Sequence, residues 1–320
     1  MEYRKLGHSN LEVSRLCLGC MSFGDPGSNY HAWTLNAQES ELLVKQALDL
    51  GLNFFDTANV YSAGTSEEYL GRAIRNNVAR DKVVLASKVY FNDGKLSKPA
   101  IQREIEGTLK RLDTDYLDLY IIHRFDSTTP IEETMETLNS LVKAGKVRAL
   151  GASAMYGYQF HNMQLAAERN GWTKFVSMQN HYNLLYREDE RELIPICKQQ
   201  HVALTPYSPL AAGRVSRLEW NADTKRSQTD KTAVSKYDST KDSDYAIVLR
   251  VNELAQKYEA TMTQIALAWH FAKGVTAPII GLTQSRYLDD AVGAFNVTLT
   301  TEDVAFLDEL YVPHAVVGAL

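Results

Sequence analysis

Six polar residues stand at the ends of apolar runs and recur at a nearly constant step. From Asp56 to Lys88, His123, Ser153, Gln179 and Tyr207 the intervals are 32, 35, 30, 26 and 28 residues. A (β/α)8 barrel of ~250 residues devotes about 31 to each strand-helix unit, so the step matches that fold. The runs are Leu16–Gly19, Leu52–Asp56, Val83–Lys88, Leu117–His123, Val147–Ser153, Phe175–Gln179, Val202–Tyr207 and Ala277–Gly281. Most are continuously apolar, as strands buried on both faces must be. Between them apolar residues return at helical spacing. Asn36 with Glu39 opens one helix and Gly51 ends it; Ser97 and Pro99 open another. A third spans Pro130 to Ala144, with Thr129 placed to cap it, Glu132 and Glu133 in its first turn, and Gly145 after its end. The chain therefore reads as α/β, a single TIM-barrel domain over residues 1–320.

Two segments exceed the eight units. YRKLGHSNLEVSRL reads as an N-terminal β-hairpin turning near Gly7 to Asn10. Arg214–Tyr245 is highly charged with little apolar period, and reads as a long loop over the barrel mouth.

Charge narrows the partners. Thirty-four Lys and Arg against 39 Asp and Glu give a net charge of −5, so no bulk positive field invites nucleic acid or anionic lipid. No stretch approaches the ~20 apolar residues of a membrane span, and MEYRKLGHSN lacks a signal-peptide core. A soluble cytoplasmic protein with a small-molecule ligand is expected. Cys17, Cys20 and Cys197 are too few and too odd in number for a disulfide framework, and the C-x-x-C lies in LCLGCM, a strand candidate.

Active sites of such barrels lie at the C-terminal ends of the strands. Asp56, Lys88, His123, Ser153, Gln179, Asn180 and Tyr207 break the apolar pattern there. Two chemistries use an Asp, a Lys and a His at one mouth. Lys88 either forms a Schiff base with a carbonyl, as in a lyase, or stays protonated beside a phenol and lowers the phenol's pKa for proton donation. Tyr61, five residues beyond Asp56 in FFDTANVY, favours the second. The loops after the strands carry Trp33, Tyr90, Arg124, Phe125, Tyr156 and Tyr182. Aromatic walls suit a planar or apolar carbonyl compound, Arg124 a carboxylate or phosphate; the residues leave both open.

Phe55-Asp56-Thr57-Ala58, Tyr61 and Gly64 match F-D-T-A-x-x-Y and its later glycine. With Lys88 in LASKVY and His123 in LYIIHRFD, they make the chain resemble the aldo-keto reductase superfamily, in its branch of bacterial and fungal general aldo/keto reductases, over essentially its whole length. The resemblance implies a tetrad of Asp56, Tyr61, Lys88 and His123 that reduces aldehydes and ketones, Tyr61 giving the proton and His123 orienting the carbonyl. It also extends to potassium-channel β subunits, which keep the tetrad in a regulatory protein.

No G-x-G-x-x-G joins a strand to a helix, so a dinucleotide must lie across the barrel mouth. The resemblance implies NADP(H) rather than NAD(H). Ser153, Gln179 and Asn180 suit a carboxamide, and Tyr207 offers a ring for stacking. The resemblance further implies that the loop YSPLAAGRV, with Ser208, Leu210, Gly213 and Arg214, holds pyrophosphate and ribose. A helix start after Thr283 is a natural phosphate seat, and the resemblance implies that Thr283, Arg286 and Asp290 there hold the adenosine end and its 2′-phosphate. Gln284, Ala291 and Ala154 depart from residues common at those family positions.

Overall fold

Strands form where apolar runs are covered on both faces, and the structure, a computed structural model, describes residues 1–25, 27, 31–220 and 228–317. β1 (Tyr3–Lys5) and β2 (Glu12–Ser14) make the antiparallel hairpin. Eight parallel strands follow: β3 (Cys17–Gly19), β4 (Phe54–Asp56), β5 (Val84–Val89), β6 (Leu117–Ile122), β7 (Val147–Ser153), β8 (Phe175–Gln179), β9 (Ala203–Leu204) and β10 (Ile279–Gly281). Their order is β10-β3-β4-β5-β6-β7-β8-β9. The two edges meet through three backbone bonds, from the amides of Thr276 and Ala277 to Leu204 O (3.0 and 3.3 Å) and of Ile279 to Pro206 O (2.9 Å). This closes the (β/α)8 barrel.

The hairpin seals the N-terminal end. Leu6 and Val13 join Phe54, Leu119, Ile121 and Val176 in the barrel interior, separate from the larger core between strands and helices. Burying a side chain the size of Phe54 contributes ~1.5–3 kcal/mol. Gly7, at φ +58°, turns the hairpin against Val176 O, and a Cβ there would collide with that backbone.

The helices in chain order are α1 (Ala37–Asp49), α2 (Thr65–Asn77), α3 (Lys98–Leu112), α4 (Ile131–Lys143), α5 (Gly157–Asn170), α6 (Leu193–Gln199), α7 (Lys231–Tyr237), α8 (Lys241–Lys257), α9 (Met262–Ala272), α10 (Arg286–Gly293) and α11 (Thr301–Asp308). α1 has the expected capping box: Asn36 Oδ1 accepts from the amides of Gln38 and Glu39, and Glu39 Oε2 accepts from Asn36 N. α4 does not use Thr129. Pro130 is its N-cap, and the Thr129 hydroxyl donates instead to Asp126 Oδ2 at 2.7 Å.

The segment 214–245 is also more ordered than a charged loop. Residues 221–227 lie outside the described residues, but α7 and the start of α8 occupy much of the remainder. Asp230 caps α7 by accepting from Ala233 N at 3.0 Å. Ala233 and Tyr237, four residues apart, are its buried face. Among the described residues no helix is long and apolar enough to cross a membrane.

Candidate active site

Parallel register brings the polar strand ends to one level. Asp56 pairs with Ala86, so Lys88, two residues further along β5, projects from the same face just above; Ser153 pairs with Gln179. His123 follows β6 directly. Tyr61 begins a tight turn in which Ser62 and Ala63 take φ of 47° and 54° before Gly64 at 94°. That turn folds the phenol back over the strand it has just left.

The result is a buried chain of hydrogen bonds. Lys88 Nζ, with no exposed surface, donates to Asp56 Oδ2 (2.6 Å), Thr57 O (2.7 Å) and Tyr61 Oη (3.2 Å). Gln179 Nε2 donates to Asp56 Oδ1 at 2.9 Å, and Ser153 Oγ to Gln179 O at 2.8 Å. The His123 ring meets Tyr61 edge to face, with centroids 5.8 Å apart. All four residues expected to form the tetrad are thus adjacent.

The electrostatics differ from the expectation in one respect. Burial pushes the Tyr61 phenol above its usual pKa and outweighs the downward pull of Lys88, so the hydroxyl is held protonated rather than poised near neutrality. Burial also works to discharge Lys88, but Asp56 and then Tyr61 overcome it and leave the ammonium raised. His123 is held well below the usual histidine range by burial, then by Lys88 and Arg124, and is neutral at pH 7. A lysine with three partners, no exposed surface and a raised pKa is no Schiff-base nucleophile.

Tyr61, Asp56 and His123 line a cavity of about 1210 Å³, while Lys88 lies behind its wall. Ser153, Gln179, Tyr207, Ser208, Leu210, Gly213, Thr283, Arg286 and Asp290 line it, as do Trp33 and Arg124. Ser208 and, after Leu210, the consecutive Ala211, Ala212 and Gly213 have φ between 48° and 91°, left-handed turns that wind the loop tightly along the cavity. A Cβ on Gly213 would strike the Arg217 guanidinium.

Several expected residues are elsewhere. Asn180 is fully buried and donates to Asp189 Oδ2 at 3.1 Å. Arg214 turns to Asp238, its Nε and Nη2 both donating to Oδ1 (2.9 and 2.5 Å). Tyr90 packs edge-on to Phe91, and it is Phe91 that lines the cavity. Phe125 joins the strand-helix core, Tyr156 precedes α5 and stacks on Tyr158, and Tyr182 donates to Glu190 beside Trp269. The cavity instead gains Arg217, Lys236 and Gln284. Arg217 and Lys236 lie in the segment with little apolar period, where no sequence signal marked them. The cysteines are buried, and burial pushes the thiols of Cys17 and Cys20 far up, which makes them inert.

The family model for the aldo/keto reductase family matches residues 15–312. An aldo-keto reductase of Fusarium vanettenii is 42% identical over 99% of this chain and 93% of its own length. Versiconal hemiacetal acetate reductase of Aspergillus parasiticus is 40% identical over 99% and 98%. A thermostable aldo-keto reductase solved with the inhibitor epalrestat superposes with a TM-score of 0.77 at 29% identity, covering 97% of this chain and 100% of that one. With a closed parallel barrel and a buried Asp-Lys-Tyr-His cluster at its mouth, this likeness along nearly the whole sequence places the chain in the aldo/keto reductase family, as an oxidoreductase acting on carbonyl groups.

Proposed function

We propose that the protein is an NADP(H)-dependent reductase of aldehydes and ketones in which Tyr61 protonates the carbonyl oxygen. The observation that carries this reading is the buried line Gln179–Asp56–Lys88–Tyr61, which ends on a protonated phenol at the cavity wall. When bound, the nicotinamide supplies the hydride for the carbonyl carbon. The remaining work belongs to the chain's own side chains. Tyr61 Oη holds the carbonyl oxygen and passes its proton as that oxygen gains charge. Lys88 stabilises the phenolate left behind, Asp56 keeps Lys88 charged, and Gln179 fixes Asp56. His123, being neutral, orients the oxygen through a ring N–H without adding a competing charge.

The residues suit the dinucleotide. The Tyr207 ring borders the cavity and its buried hydroxyl has no hydrogen-bond partner among the described residues. The tightly wound loop Ser208–Gly213, left-handed at Ser208 and at Ala211–Gly213, lets backbone approach a pyrophosphate. Arg286 and Thr283 stand where α10 begins, a natural seat for a 2′-phosphate, which favours NADP(H) over NAD(H). A relative named for reducing a hemiacetal, a masked carbonyl, supports the substrate class.

The test is NADPH oxidation with 4-methylbenzaldehyde, beside NADH and beside Tyr61→Phe. The variant should keep its NADPH affinity, read by fluorescence titration, and lose ~10²–10⁴-fold in kcat. Turnover by Tyr61→Phe at the wild-type rate would refute the assignment.

A further inference from the structure

Two partly buried arginines outside the cavity lining are neutralised. Arg214 pairs with Asp238, and Arg187 pairs with Glu190 and Asp308. Of the four basic side chains lining the cavity among the described residues, Arg124 and Lys236 are half-buried without a carboxylate partner, whereas Arg286 is exposed. Arg124 donates to His123 O at 2.8 Å and lies with its guanidinium 5.5 Å from the Phe91 ring centroid. Lys236, carried over the mouth by α7, holds its ammonium 4.9 Å from the Tyr207 ring centroid. Neither forms an ion pair among the described residues.

We propose that Arg124 and Lys236 together form a seat for an anionic group on the carbonyl substrate, so that the enzyme selects aromatic aldehydes bearing a carboxylate. The inference rests on the reductase reading above and names the substrate class of that same site.

Position supports it. Phe91 touches Arg124 on one side and meets His123 edge to face on the other, centroids 4.9 Å apart, and His123 touches Tyr61. The cation therefore stands about one ring beyond the point where the carbonyl oxygen is protonated. A flat substrate bordered by Phe91 and Trp33 spans that gap with its carbonyl at one end and its acid at the other. Energetics agree. Burial and then Arg124 depress the Lys236 pKa to about 8, against an opposing pull from Asp230 that is weaker than either. Two like charges lining one cavity repel, and an anion bound between them removes that penalty. Lys236 is held in place because its neighbour Tyr237 is tied to the rim: Tyr237 Oη lies 2.7 Å from His181 Nε2 and accepts from Asn183 Nδ2 at 3.1 Å.

The experiment measures kcat/KM with NADPH for 4-carboxybenzaldehyde and for neutral 4-methylbenzaldehyde. The wild type should prefer the acid by about tenfold or more, and Lys236→Met and Arg124→Met should each reduce that ratio about tenfold, mainly through KM. Lys236→Arg should retain it. Each variant's turnover of the neutral aldehyde reports its folding and chemistry, and failure of the wild type on that substrate would strike the reductase reading itself. A wild-type ratio near one, or a ratio that the substitutions leave unchanged, overturns the seat. So does a fall in NADPH affinity without a change in ratio, which would assign the two cations to the dinucleotide phosphates.

Discussion

Asp56→Asn isolates the cost of holding Lys88 charged out of water. The side chains of Lys88 and Asp56 are 0% and 4% exposed, and their charged atoms lie 2.6 Å apart. At an effective dielectric of 20 the pair is worth about 6 kcal/mol of gross attraction. Asn retains an oxygen that accepts from Lys88, as does Thr57 O, so part survives and a net loss of about 3–5 kcal/mol is expected. The loss should depend on pH in a definite direction. In the wild type the raised Lys88 pKa means a contribution fully present below about pH 10 and lost only as pH climbs through the folded value. In the variant the largest pull opposing burial is gone, leaving Tyr61 and the neutral acceptors, and the folded pKa falls below the unfolded one. The unfolded state then binds the extra proton, and the variant gains stability as pH rises. Urea unfolding at pH 6, 7.5 and 9 should therefore show a deficit that is largest at pH 6 and narrows toward pH 9. A deficit below about 1 kcal/mol, or one equal at all three pH values, would refute the claim that Asp56 keeps a buried ammonium charged.

Two further outcomes concern stability. His270 has no exposed surface, is pushed to about 4 by burial, and in its neutral form donates from Nε2 to Pro209 O at 3.2 Å. Its folded pKa lies below the unfolded value near 6.5, so stability drains as pH falls through that window, by about 2 kcal/mol between pH 7 and 5. Relative to the wild type, His270→Gln should have a shallower decline in urea titrations; parallel curves would exclude His270 as the source. Glu259 is exposed at φ 50° just after α8. Glu259→Gly should raise stability by about 1 kcal/mol, seen as a higher urea midpoint at unchanged slope.

The adjacency of Asp56, Tyr61, Lys88 and His123 is legible because barrel geometry converts a step of about 31 residues into a ring of neighbours, and because a polar residue ending a buried strand mostly faces the mouth. The same logic overreached at Asn180. That residue shares the strand end with Gln179, but the next position on a strand faces the opposite way, and Asp189 holds its amide there. Thr129 looked like a cap by spacing alone, while Asp126, three residues earlier, competes for its hydroxyl. Lys236 and Arg217 could not be found at all. α7 is seven residues long and buries only Ala233 and Tyr237, too little for an amphipathic period to register. The sign of the Tyr61 shift was equally hidden, since sequence names the cation beside the phenol but not the depth at which both lie.

β9 is two residues long, and three backbone bonds join its side of the barrel to the strand that completes the ring. This is the thinnest seam in the cylinder. The loop Ser208–Gly213 leaves from one side of the seam and Leu282–Asp290 from the other, both facing the same cavity. A long ligand held by both loops would bridge the seam like a clasp, so its binding would oppose local opening at β9, and looser packing there would weaken its hold.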